Sequence, residues 1–242
     1  MVNRPQDSLP AVTLVVVILL AGCAGVPTID QQAPTPESTV ENFSYPPGWS
    51  QEGITISNVS TALQTHSATV KNTSRKSRLV TISGDTNRTI VRTLDADAGT
   101  AEIQFVDTRF DTESHTYYNA DGVYKYDRIT GELDQRPGKD WERDRVASHE
   151  GLRRPLLSLE INATETVIVE GTTAVRYTVT GIRNPDFAPA NTATGHIIVA
   201  EEGYIAEFNI TRGNDKFTQQ TIYDVSEFGN ATVSRPAWMP EE

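Results

Sequence analysis

The residues that could do chemistry in this chain are four histidines, several clusters of acids and a run of tyrosines. His66, His115, His149 and His196 are scattered, and none makes the HxH or HExxH pair that a metal site draws on. His66 and His149 fall at apolar positions of helical stretches, where an imidazole is expected as a satisfied, partly buried group. Asp95, Asp97 and Gly99 have the opening of a calcium loop, but the third ligand and the distal glutamate are misplaced. Asp107, Asp111 and Glu113 are equally close, and in an acidic chain such groupings read as solvated turns. Tyr117, Tyr118, Tyr124 and Tyr126 could line a cavity. Aromatic pairs across a hairpin also stabilise a sheet by roughly 0.2 to 1 kcal/mol each, and packing is the preferred role. With no GxSxG, P-loop or GxGxxG, the expectation is a chain that is not an enzyme and needs neither metal nor cofactor.

The only cysteine, Cys23, ends the stretch LLAGC. Before it, Ala11 to Leu20 is apolar apart from Thr13. Ten to sixteen such residues make roughly 15 to 24 Å of helix, short of the ~30 Å core of a bilayer, so the length suits a removable signal segment. Leu20, Ala21, Gly22 and Cys23 resemble the lipobox of secreted lipoproteins. That resemblance implies cleavage between Gly22 and Cys23 and a lipid on the Cys23 sulfur, which would hold the protein on the extracellular face of the cell membrane.

From Ala24 to Pro47 the chain carries five prolines and little that is apolar. Such a segment cannot bury enough surface to offset its ordering entropy, and is expected as a disordered tether. Order is expected to begin near Trp49. The organisation is therefore a signal peptide over 1–22, a lipidated cysteine and tether over 23–47, and one domain over 48–242. Sequons for N-glycosylation occur at Asn42, Asn58, Asn72, Asn87, Asn162, Asn209 and Asn230, seven of the twelve asparagines; composition alone would give about two. The excess agrees with an extracellular location. An excess of 32 Asp and Glu over 21 Lys and Arg, with only five lysines, speaks against nucleic acid as a partner. It also resembles the composition of proteins from salt-loving archaea.

Periodicity supplies the elements. Ser57 to Lys71 spaces Val59, Ala62, Leu63, His66 and Val70 as one helix. Strands are expected at Arg78–Ser83, Thr89–Leu94 and Ala101–Phe110, and a hairpin at His115–Arg128 turning on Asn119 to Gly122. A helical stretch from Trp141 to Leu159 is expected to split at Gly151 and Pro155. Strands follow at Thr166–Glu170, Ala174–Ile182, Gly195–Ala200, Tyr204–Arg212 and Phe217–Val225. In the fourth of these, Tyr204, Ala206, Phe208 and Ile210 share one face, and Glu207, Asn209 and Thr211 the other.

Helix, strands, helices and strands behind a lipobox resemble the half-barrel lipoproteins and carriers of the LolA and LppX/LprG type. LLAGC, YPPGWSQEGI at 45–54 and EEGYIAEF at 201–208 resemble an uncharacterised family of haloarchaeal lipoproteins. The implied fold is α+β, a single domain with a curved antiparallel sheet packed on helices around a space for an apolar or lipidic ligand. Ile103, Phe105, Val175, Tyr177, Val179, Tyr204, Phe208 and Ile210 are the positions expected to face that ligand. The alternative is a cell-envelope interaction protein without a cavity, its protein partners unknown. Replacing Cys23 with Ser is expected to abolish lipidation and release the protein from membranes. Unchanged membrane retention on fractionation would contradict the lipobox reading.

Overall fold

Apolar and polar residues alternate along most of the chain beyond Arg75, and in the computed structural model that alternation becomes eleven antiparallel strands. The structure describes residues 39–51, 56–138, 143–147, 151–187 and 189–240. Cys23, Gly22 and His149 lie outside them. After helix α1 (Val59–Lys71) come strands β1 (Arg75–Ser83), β2 (Thr86–Asp95), β3 (Thr100–Asp107), β4 (Thr112–Asn119), β5 (Gly122–Asp127) and β6 (Leu133–Pro137). Two short helices follow, α2 (Arg143–Val146) and α3 (Arg153–Ser158). The chain then forms β7 (Leu159–Val169), β8 (Thr172–Ile182), β9 (Thr192–Ala200), β10 (Ile205–Asn214) and β11 (Phe217–Ser226).

The strands lie in the order β6-β5-β4-β3-β2-β1-β11-β10-β9-β8-β7. Two meanders are therefore joined at the centre by pairing of the first strand with the last. The sheet is open, with β6 and β7 as its edges, and Ser38–Glu242 forms one compact unit. This order leaves β6 and β7 ten strand spacings apart, about 48 Å along a flat sheet at ~4.8 Å per spacing. The connection between them must cross a face of the sheet. Where it passes the centre, the described residues touch β1 and the turn after β2: Gly151 lies against Leu79, and Arg143 donates to the carbonyl of Ala96 at 3.1 Å.

Arg75 fixes that crossing. Its side chain is 1 % exposed, and its guanidinium donates to the carbonyl of Val70 in the last turn of α1 and to that of Val146 at the end of α2, at 2.9 Å. These are carbonyls that helix ends leave without an intrahelical partner, and they carry the negative end of each helix dipole. Burial holds the guanidinium down to about 10 from an ordinary 12.5, with Tyr223 opposing the shift and Arg92 adding to it. Arg75 therefore stays cationic at neutral pH.

Helix α1 packs at β10 and β11, where its His66 meets Ile205 and Tyr223. Asn58 caps it by accepting from Thr61 N–H at 3.0 Å, worth about 1 kcal/mol. Thirteen residues are still marginal as a helix in water, so the buried face of Ala62, Leu63, His66 and Val70 holds it in place. Two close approaches fit it to its neighbours. Gly48, at φ +92°, has a position for Cβ 2.4 Å from the backbone nitrogen of Ala62, and Gly203, at φ +90°, has one 2.3 Å from the Thr65 methyl. The segments YPPGW and EEGYIAEF thus meet on α1, which explains their composition by packing.

The packed chain begins before Trp49. Val40–Asn42 makes a 3-10 turn, Phe43 is buried, and the Tyr45 hydroxyl donates to the carbonyl of Val40 at 2.9 Å. Three other expectations need correcting. Pro155 does not split a helix: it is the third residue of α3, where no amide has an intrahelical acceptor to lose. Strand β3 stops at Asp107, so Phe110 lies in the following turn, 68 % exposed. Helices back only part of the sheet, because α2 and α3 have four and six residues.

Replacing Arg75 with Met should cost about 3 kcal/mol in urea unfolding, since it leaves two buried helix-end carbonyls without their charged donor. A loss below ~0.5 kcal/mol would show that the clamp is not needed.

Candidate functional site

Cross-strand register divides the face that carries α1, the inner face, into two unlike halves. One row of directly paired residues runs through Tyr177, Ile197, Phe208, Tyr223, Leu79 and Ile90, all buried. It continues into Phe105, Ser114 and Asp127. The next row passes from Val225 to Ser77, Arg92 and Ile103, then to Thr116, Lys125 and Asp134. A third runs Arg75, Leu94, Ala101, Tyr118, Val123 and Arg136. The first row is apolar and buried from β8 to β2 and turns polar at Ser114 and Asp127, and the other two end toward β6 on Asp134 and Arg136.

The covered half is filled by side chains. Val175, Tyr177, Val179, Tyr204, Phe208 and Ile210 are at most 4 % exposed and belong to one continuous core with Phe43, Trp49 and Leu63. The Trp49 ring lies 5.1 Å from that of Tyr177, whose hydroxyl donates to the carbonyl of Ser50 at 3.2 Å. Tyr204 stacks on Phe228 at 4.2 Å. These six expected ligand-facing residues are core residues, and none lines either inner-face cavity described next.

Those cavities lie where the helical cover ends. A cleft of about 90 Å³ is bounded by Leu79, Thr81, Arg88, Ile90 and Gly151. Beside it is a groove of about 260 Å³ across β3–β6. Phe105, Ser114, Thr116, Tyr118 and Val123 make its floor, and Lys125, Asp134, Arg136 and Arg145 its charged rim. Phe105 pairs directly with Ile90, and the Arg88 guanidinium sits 5.2 Å above its ring, so Phe105 and Arg88 form the border between cleft and groove. Of the eight expected positions, Phe105 lines the groove and Ile103 is half-buried in the row beside it.

Charge in the groove runs against that of the chain. Asp134, the only acid lining it among the described residues, is held by Arg136 at 2.7 Å. Burial pushes the Tyr118 hydroxyl up, with the charges of Arg145 and Arg92 acting the other way. Arg92 is itself 6 % exposed. The residues that sequence reasoning missed, Lys125, Arg136 and Arg145, belong to three separate elements. The available signal was Lys125, one of five lysines, at an inward position of a hairpin strand.

The remaining chemistry-bearing residues have structural partners. His66 Nδ1 accepts from the Ile205 amide at 3.1 Å, and its Nε2 lies 3.4 Å from the Tyr223 hydroxyl. His196 and His115 face Glu207 and Glu102 at 2.8 and 3.4 Å. Asp95 accepts from the Ala98 amide within a turn, and no group of three metal-ligating side chains occurs among the described residues. Tyr117 and Tyr124 pair on the opposite face. There the chain beyond β11 returns to stack Trp238 on Tyr126 at 5.5 Å, and a third cavity of about 370 Å³ involves Asp121, Tyr124 and Arg235. Six sequon asparagines are exposed; Asn209 is half-buried and accepts from Gln220 at 3.2 Å. None of the seven lines the groove. No helix among the described residues is long and apolar enough to cross a membrane.

No protein-family model matches the sequence, and no curated protein matches it. Among solved structures, the chain is similar to an uncharacterised conserved protein from Thermus thermophilus, at 11 % identity and a TM-score of 0.35, over 72 % of this chain and 87 % of that one. It is similar to the lipoprotein LppX of Mycobacterium tuberculosis at 10 % identity and a TM-score of 0.35, over 71 % and 94 %. A LolA superfamily protein of Nitrosomonas europaea gives 7 % identity and a TM-score of 0.27, over 73 % and 94 %.

The core tyrosines set a pH limit on the fold. Burial is the main cause that pushes Tyr204 and Tyr223 up to about 12 from 10.0, and it raises Tyr177 as well. A raised folded value favours the neutral phenol, so this stabilisation is whole below pH 10 and is lost as pH rises through about 12. Absorbance at 295 nm should show these three ionising only with alkaline unfolding. Titration of all eight tyrosines near pH 10 with circular dichroism unchanged would contradict this packing.

Proposed function

We propose that this chain is a non-catalytic binding protein, anchored to the outer face of a cell membrane through Cys23, which takes an apolar or lipidic ligand on the open half of its inner face. One observation carries the reading: an apolar cleft and a polar groove adjoin at Phe105, on the part of the sheet that α1 leaves uncovered. Together they fall at the lower end of the range for small-molecule sites, about 300 to 1,000 Å³. The cleft seats part of an apolar group and the groove receives whatever is polar beside it. An amphipathic molecule fits this arrangement better than a purely hydrocarbon one.

The exposed sequons and the lipobox support the extracellular part of the reading. None of the seven sequon asparagines lines the groove, so a glycan on any of them would not be attached within it.

A neutral apolar fluorophore, N-phenyl-1-naphthylamine, tests the assignment. It should bind saturably, and Phe105→Asp should weaken it at least tenfold, because a carboxylate at the border between cleft and groove would be desolvated by the bound apolar group. Val179→Ala, in the covered half, should lower stability and leave the affinity intact. Loss of binding in Val179→Ala with Phe105→Asp unaffected would move the site into the core and overturn the proposal.

A further inference from the structure

We infer that the groove over β3–β6 is a subsite for a phosphate-type anion, with Lys125 and Arg145 as its principal cations. This deepens the proposed function, on which its amphipathic half rests. The chain as a whole has a formal charge of −11, yet among the described residues three cations line this groove against one carboxylate. That carboxylate is already engaged: Arg136 approaches Asp134 with Nη2 at 2.7 Å and Nε at 3.0 Å. Lys125 and Arg145 make no ion pair within 4.0 Å among the described residues. Asp127 accepts from the amides of Thr130 and Ile129, both at 2.9 Å, which tie it to its turn and hold its carboxyl down, and Lys125 is near enough to help lower it.

Burial strengthens the case. Arg75 and Arg92, 1 % and 6 % exposed, occupy adjacent rows of the same face. Arg92 is close enough to Tyr118, on the groove floor, to act on its hydroxyl. Buried charges are screened by salt far less than exposed ones, so the influence of Arg92 on the groove floor persists where that of the rim weakens. A phosphoryl group suits this setting, because its oxygens can accept from an ammonium and a guanidinium fork together. Ser114 and Thr116 add hydroxyls to the floor. The phosphate could be a lipid headgroup or a free ion; the adjoining cleft at Leu79 and Ile90 favours one with hydrocarbon attached.

Isothermal titration of the mature, non-lipidated chain with octyl phosphate, 1-octanol and inorganic phosphate separates these possibilities. Octyl phosphate should bind at least tenfold tighter than octanol. The double variant Lys125→Gln/Arg145→Gln should erase that difference without changing the affinity for octanol. Lys76→Gln, on the opposite face, should change nothing. If inorganic phosphate binds as tightly as octyl phosphate and is lost in the double variant, the anion site stands and the lipidic reading falls. If octyl phosphate and octanol bind equally, or the double variant keeps the preference, the anion site is overturned while the apolar site remains. If none of the three binds, both proposals fail.

Discussion

Pairing of the first strand with the last, at the centre of the sheet, is the constraint on which the rest of this structure depends. It sends the two meanders outward in opposite directions and leaves their ends, Pro137 and Leu159, at opposite edges. The connection must return across the inner face, and Arg75 pins it there by serving helix-end carbonyls on both α1 and α2. An isolated buried guanidinium is costly. Here its charge is matched by two carbonyl dipoles, which is why a cation without a carboxylate partner can sit at the centre of the fold.

That crossing divides the face into halves with different packing. Toward β7, the N-terminal segment, α1 and α3 fill the space with Trp49, Tyr177, Phe208 and their neighbours, and the result is a solid core. Toward β6 the cover is smaller: Val146 of α2 packs with Leu94, Ala101 and Tyr118. Apolar positions give way within two or three strands to Ser114, Thr116 and Lys125. One half is a packed core, and the other is where the proposed binding site lies. The stabilising half is also the one that contains most of the residues expected from sequence to meet a ligand.

Much of this was legible in the chain. The spacing of Ala62, Leu63, His66 and Val70 marked α1, and the tyrosine arms around Asn119–Gly122 marked the β4–β5 hairpin. The strand LDQRP of β6 was not, because an edge strand whose residues are mostly exposed has no apolar alternation to show. The groove was illegible for a different reason. Phe105, Tyr118, Lys125, Arg136 and Arg145 are brought together by the register of four strands and by the return of the connection over them, and no spacing in the sequence encodes that meeting. Parity identified inward positions such as Val175 and Phe208 correctly. It could not say which of them a helix covers, and that distinguishes a core residue from one that a ligand can reach.

The central claim, that binding belongs to the uncovered half, is tested most directly by hydrogen exchange with and without octyl phosphate. Added protection should fall on β3–β5, with α1 and β8–β10 unchanged. Protection gained instead in α1 and β8–β10 would mean that the ligand enters the packed half, and would contradict the division of labour described above.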